Sequence, residues 1–117
     1  NNRSWYALTN AGQCELKKEK KMLAEGYFMQ ALQVRPSFSP ALKEMLKIQF
    51  DKGKYLSARA YLERYSSYAK HTSETLWLGV QIERTLGYEE KSKEYKELLL
   101  RSFPTSEEAL KIQNSTL

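Results

Sequence analysis

The sequence predicts an all-α solenoid of three helix-turn-helix repeats closed by a short C-terminal capping helix. Two observations carry that expectation. The 117 residues align with themselves at an offset of 34, and the composition is 41% apolar and 28% charged with only five Gly and three Pro. That balance is too apolar for a disordered chain and too poor in turn residues for an all-β domain. A chain of this length suits one domain, 1–117, with about two thirds of its unfolded surface buried.

The self-alignment is visible column by column. Leu8, Leu42, Leu76 and Leu110 share one column; Tyr27, Tyr61 and Tyr95 share another; Ala24, Ala58 and Ser92 form a small-residue column. Gly53 and Gly87 lie one period apart, and Pro36 and Pro104 two periods apart with Lys70 between them. Helices are predicted over 4–17, 21–34, 39–52, 55–69, 73–86 and 89–102, followed by a short one from near Ser106. The small Gly12 lets the first helix approach the second, in which Ala24 and Ala31 do the same, and Pro36 stops that second helix. The third runs from 39 through Leu42 to Gly53, where a left-handed C-terminal cap is expected, and Ala58 gives the fourth its close contact. Ser73 suits the N-cap of the fifth, which ends at Gly87, and Pro104 stops the sixth. Ser106 suits the N-cap of the last, whose Ala109, Leu110 and Ile112 among polar residues read as a solvating cap over 107–117.

A 34-residue helix-turn-helix unit with these columns resembles the tetratricopeptide repeat. The repeats fall at 5–38, 39–72 and 73–106. The first matches best, through Gly12, Ala24, Phe28, Ala31 and Pro36. The second has Leu46, Leu62, Tyr65 and Lys70 at positions where the pattern has small, aromatic, Ala and Pro residues. The third has Ser92 and Lys96 where Ala and an aromatic are usual, which predicts a looser or locally shifted helix pair. The Tyr column is expected to be structural, packed on neighbouring repeats.

In this architecture the first helices line a concave groove. The positions exposed there are Tyr6, Thr9, Asn10, Gln13 and Lys17 in repeat one, Lys43, Glu44 and Lys47 in repeat two, and Trp77, Leu78, Gln81 and Arg84 in repeat three. Such a surface is basic, amide-rich and floored by one Trp, and would suit a protein or peptide partner, since Trp and Arg are enriched at hot spots and amides can pair with a ligand backbone. Trp77 reads equally well as core packing. The clamp by which tetratricopeptide cochaperones hold the acidic C-terminus of heat-shock chaperones needs Lys, Asn and Arg where this chain has Thr9, Gln13, Glu44, Glu74 and Leu78, so that clamp is not expected.

Nineteen Lys plus Arg against fourteen Asp plus Glu give +5, which favours acidic partners by long-range attraction. Acidic residues are interspersed, so nucleic acid is not the expected partner, and Lys17-Lys18-Glu19-Lys20-Lys21 reads as a solvated helix end. No enzyme, small-molecule substrate, cofactor or metal is expected, because the sequence has no phosphate loop or metal-ligand spacing. The only His, His71, reads as an exposed loop residue. The lone Cys14 cannot form an internal disulfide, lacks a preceding apolar signal segment, and is expected to be a small buried helix residue. No stretch approaches the roughly 18 apolar residues of a membrane span. The chain opens at Asn1 and reads as a fragment or a processed form.

Longer runs narrow the resemblance. YFMQALQVRPSFSPAL (27–42), FDKGKYLSARAYLERY (50–65), LWLGVQIERTLG (76–87) and SFPTSEEAL (102–110) resemble the C-terminal half of the type IV pilus biogenesis and stability lipoproteins, or pilotins. The resemblance implies about six repeats in the whole protein, of which this chain would be the last three. It also implies a signal peptide and a lipidated Cys upstream, with which Cys14 does not align, and a place on the periplasmic face of the bacterial outer membrane. The implied partner is the pilus secretin, assisted to its membrane and into its multimer, and the implied membrane contact is the N-terminal lipid alone. A cytoplasmic adaptor binding an acidic or extended peptide in the basic groove is the alternative.

Overall fold

The computed structural model describes residues 4–114. All regular structure among them is helical: α1 (Ser4–Lys17), α2 (Lys21–Val34), α3 (Ser39–Asp51), α4 (Tyr55–Tyr68), α5 (Ser73–Thr85), α6 (Glu89–Ser102) and α7 (Glu107–Gln113). Each boundary lies within one residue of the sequence expectation. Residues 115–117 of the predicted cap lie outside the described residues. The helices form two compact units, Asn1–Ala69 and Lys70–Leu117.

In the first unit α1 pairs with α2 and α3 with α4, and α2 packs on α3. The core is built from Ala24, Phe28, Ala31, Ala41, Leu42, Met45, Ile48 and Tyr65, with Trp5, Leu8, Leu16, Phe38 and Tyr61 packed against it. A Cβ at Gly12 would lie 2.6 Å from Phe28 Cε1, so only Gly lets α1 sit this close to the ring. Between α2 and α3 the Glu25 carboxylate accepts hydrogen bonds from Gln49 Nε2 and from Lys52 Nζ, each at 2.9 Å. The Lys52 bond is the main reason the Glu25 carboxyl is held below the usual glutamate range; burial opposes it and the Gln49 bond adds to it.

In the second unit α5 pairs with α6, and α7 packs on both. Ala109 and Ile112 of α7 are buried, while Leu110 is half exposed. The third repeat is shifted rather than loosened. Its close approach is made one residue earlier on both helices: a Cβ at Gly79 would lie 2.8 Å from Tyr95 Cδ2. The spacing Gly79 to Tyr95 equals that of Gly12 to Phe28, so the pair keeps its geometry at a new register. Ser92, in the small-residue column, is buried and donates from Oγ to the Val80 carbonyl at 2.9 Å. A hydroxyl is tolerated at this close contact because it finds an acceptor there.

The turns inside the three pairs are copies of one motif. The backbone N–H groups of Lys20, Lys54 and Tyr88 donate to the carbonyls of Glu15, Gln49 and Glu83 at 2.9, 2.9 and 2.8 Å. The residue before each donor is left-handed: Glu19 (φ 60°), Gly53 (φ 74°) and Gly87 (φ 85°). Gly53 and Gly87 occupy the caps anticipated for them, and Glu19 takes the same conformation without the freedom of Gly.

Two local expectations are corrected. The N-cap of α5 is Thr72, one residue before Ser73: its hydroxyl accepts from Thr75 N while Thr75 Oγ1 accepts from Thr72 N, a reciprocal capping box. Ser106 caps α7 as expected, accepting from Ala109 N at 3.1 Å. Cys14 is exposed rather than buried. Its counterpart one period later, Ile48, belongs to the core beneath α2, whereas among the described residues α1 has no helix packed on that side.

Candidate functional site

The nine predicted groove residues lie on the first helices of the pairs: Tyr6, Asn10, Gln13 and Lys17 on α1, Lys43 and Lys47 on α3, and Trp77, Gln81 and Arg84 on α5. Tyr6, Asn10, Lys17 and Arg84 are exposed; Gln13, Lys43, Lys47, Trp77 and Gln81 are half-buried. Two neighbours that share this face in the sequence reading are buried instead. Thr9 turns its hydroxyl inward to the Trp5 carbonyl at 2.8 Å, and Leu78 is a core residue of α5.

In the first unit the structure brings α1 and α3 residues to one carboxylate. Gln13 Nε2 lies 3.5 Å from Glu44 Oε2, and Lys47 Nζ lies 3.9 Å from Glu44 Oε1. Glu44 thus stands between the Gln13 amide of α1 and the Lys47 ammonium of α3 and offsets part of the positive charge on this face. At the N-terminal end of α1, Tyr6 stands edge-on to Trp5 with ring centroids 6.1 Å apart. Trp5 in turn packs on Phe38 at 4.6 Å and carries the Arg35 guanidinium 4.4 Å above its ring. That aromatic and cationic cluster, adjoining Tyr6, was not singled out from the sequence. Its signal was Trp5 and Phe38 at the two ends of one repeat.

In the second unit Gln81 Nε2 donates to the Trp77 carbonyl at 3.2 Å, one turn back on α5. The bond ties the Gln81 amide back onto its own helix. Arg84 follows one turn on and lines an open cleft with Glu89, Glu90, Lys93 and Lys96 of α6.

His71 is half-buried, not an exposed loop residue. Its Nδ1 lies 3.0 Å from Thr75 Oγ1, and its ring stands edge-on to Tyr95 with centroids 5.7 Å apart. Burial, followed by the nearby Lys91 ammonium, pushes its pKa below the ordinary histidine value. The loop His is drawn in because the shifted register brings Tyr95 to the base of α5. The Tyr column is structural as anticipated, with Tyr61 against the core and Tyr95 buried.

No group of three or more His, Cys, Asp or Glu among the described residues could hold a metal ion. No described helix is long and apolar enough to cross a membrane.

No protein-family model matches the chain, and no curated protein matches it in sequence. Solved structures do match. PilF of Pseudomonas aeruginosa superposes with a TM-score of 0.91 at 21% identity over 97% of this chain and 51% of PilF. PilW, a widely conserved type IV pilus biogenesis factor, superposes with a TM-score of 0.80 at 32% identity over 94% of this chain and 50% of PilW. The chain thus spans about half the length of each of these two structures. It is an all-helical array of tetratricopeptide-type helix pairs, built like half of the type IV pilus biogenesis proteins PilF and PilW.

Proposed function

We propose that the chain is a protein-interaction scaffold of type IV pilus biogenesis that assists the pilus secretin to the outer membrane and into its multimer. The observation that carries this reading is the 32% identity to PilW, maintained over 94% of this chain together with the fold. The scaffold acts by binding energy alone. It holds secretin subunits in an assembly-competent state on the periplasmic face of the outer membrane, tethered by lipid on a longer form of the protein.

The contact residues in this reading are Tyr6, Asn10, Gln13, Lys17, Lys43, Lys47, Trp77, Gln81 and Arg84. Trp77 and Arg84 are of the types that dominate interfaces. Lys47, already oriented by Glu44, would engage an acidic partner group with little further ordering. The test is a binding titration of the purified protein against the secretin's periplasmic domains. Trp77→Ala and Lys47→Glu are each expected to weaken binding by about tenfold or more, the size of a hot-spot truncation. Undiminished affinity in both variants would move the contact off this surface. Absence of secretin binding, with binding to acidic peptides retained, would favour a general peptide adaptor.

A further inference from the structure

The starts of α2 and α4 depart from a rule that α6 obeys. A helix N-terminus carries partial positive charge and favours acidic residues in its first turn. The first turn of α6 has Glu89 and Glu90, whereas those of α2 and α4 have no acidic residue, and their N-cap positions are Lys20 and Lys54. In the column of Glu90 stand Met22 and Leu56. Both are large, apolar and turned to solvent, 87% and 67% exposed, and Leu23 beside Met22 is 54% exposed. The pattern Lys-x-Lys-x-apolar therefore recurs at 18–22 and 52–56 and is absent from 86–90, Leu-Gly-Tyr-Glu-Glu. The first turns of α1 and α3 lack acids as well, so what sets the starts of α2 and α4 apart is an exposed apolar side chain among lysines, repeated with no gain in packing, and this marks a surface kept for binding.

The two copies lie together at one end of the first unit. Lys21 Nζ of α2 is 3.2 Å from Asp51 Oδ2 at the end of α3, and Lys52 Nζ is 2.9 Å from Glu25 Oε1 of α2. Residues 17–21 and 51–54 hold six lysines; against Glu19, Asp51 and the ion-paired Glu15 and Glu25, the net charge of this tip is +2.

We propose that this end of the first unit is a membrane-surface contact that takes anionic phospholipid. Protruding apolar side chains on α2 and α4, which both pack on α3, need no matching pocket. They fit the boundary between headgroups and acyl chains, while the lysines around them meet the phosphates. An open groove along α2, lined by Met22, Leu23, Gly26, Tyr27 and Gln30, continues the apolar surface from the tip. The contact adds a direct lipid interaction of the helical body to the anchor-only membrane contact implied by the sequence resemblance. It does not depend on the secretin reading.

The test is co-sedimentation of the 117-residue chain with vesicles of phosphatidylglycerol and phosphatidylethanolamine, against vesicles of phosphatidylcholine. The chain is expected to pellet with the anionic vesicles at low salt, to be released as salt rises, and to ignore the neutral ones. Lys20→Gln with Lys54→Gln should lower the partition coefficient roughly 25-fold, at about fivefold per surface lysine. Met22→Glu with Leu56→Glu should abolish pelleting while leaving Tm unchanged or raised, because it restores the acidic first turn that α6 has. Loss of binding with no loss of stability separates a lipid contact from a structural role. The proposal is overturned if the chain does not pellet with anionic vesicles, or if both double variants pellet as the parent does. Capture of a protein partner through these residues, with vesicles ignored, would also overturn it.

Discussion

Substituting Ala for Gly has opposite consequences at two positions of the same helix pair. At Gly26, in the middle of α2, an added Cβ meets nothing within 4 Å. Only backbone freedom changes, and Gly26→Ala should stabilise by about 0.5–1 kcal/mol. At Gly12 the Cβ would lie 2.6, 2.8 and 2.9 Å from Cε1, Cζ and Cδ1 of Phe28. Ordinary carbon contacts are about 3.5–4.0 Å, so α1 and the ring must separate by roughly 1 Å. Phe28 is completely buried and has no free space to swing into. Overpacking of this kind costs about 1–3 kcal/mol, against a helix-propensity gain of about 1 kcal/mol. The expected balance for Gly12→Ala is a net loss of about 0–2 kcal/mol.

For a chain of this size that is a fall in Tm of up to about 8 °C, against a rise of about 2–4 °C for Gly26→Ala. Thermal unfolding followed by circular dichroism reads both. The double variant Gly12→Ala/Phe28→Leu should recover part of the loss, with a coupling of about 1 kcal/mol between the two sites. A rise in Tm for Gly12→Ala alone, matching Gly26→Ala, would refute the close packing of α1 on Phe28 and with it the assigned repeat register.

Three further outcomes follow from the same coordinates. Glu19→Gly should raise stability by roughly 1 kcal/mol in a denaturant titration, because φ 60° is strained for a side-chain-bearing residue and free for Gly. Ser92→Ala should cost about 1 kcal/mol by losing the buried bond to Val80 O. On acidification stability should fall in two stages. His71 and Glu25 both have folded-state pKa values below their ordinary ones, so each contributes fully above its unfolded pKa and loses that contribution as pH falls through the folded value. The His71 stage begins below its ordinary value near neutrality and disappears in His71→Asn. The Glu25 stage lies in the carboxylate range and shrinks in Lys52→Ala. A Tm that rises on acidification through either window would contradict the burial of His71 or the pairing of Glu25.

Much of the fold was legible because each repeat carries its own punctuation. Gly53, Gly87, Pro36, Pro104 and Ser106 mark helix ends by backbone chemistry alone, and the helix limits followed from them. The column alignment failed where a compensating change keeps the geometry. Reading Lys96 in the Phe28 column hid the Gly79 and Tyr95 pair, since moving both partners by one residue leaves their contact intact. Cys14 was misplaced for another reason: the sequence gives a residue's column but not whether a helix covers it. His71 was misread because its burial is made by Tyr95 and Thr75, neither of which its own loop reveals. Of the candidate surface, the residues were visible and their mutual restraint was not. The Glu44 carboxylate between Gln13 and Lys47, and the Arg35 stack on Trp5, depend on side-chain geometry across helices.

The most direct test of the scaffold reading is the state of the pilus secretin in cell envelopes, run unheated on a gel and blotted, with and without the gene that encodes this chain. The account predicts loss of the high-mass multimer and accumulation of monomer when the gene is absent, restored by the parent protein and not by a Trp77→Ala/Lys47→Glu variant. An unchanged multimer, correctly placed in the outer membrane without the gene, would contradict it.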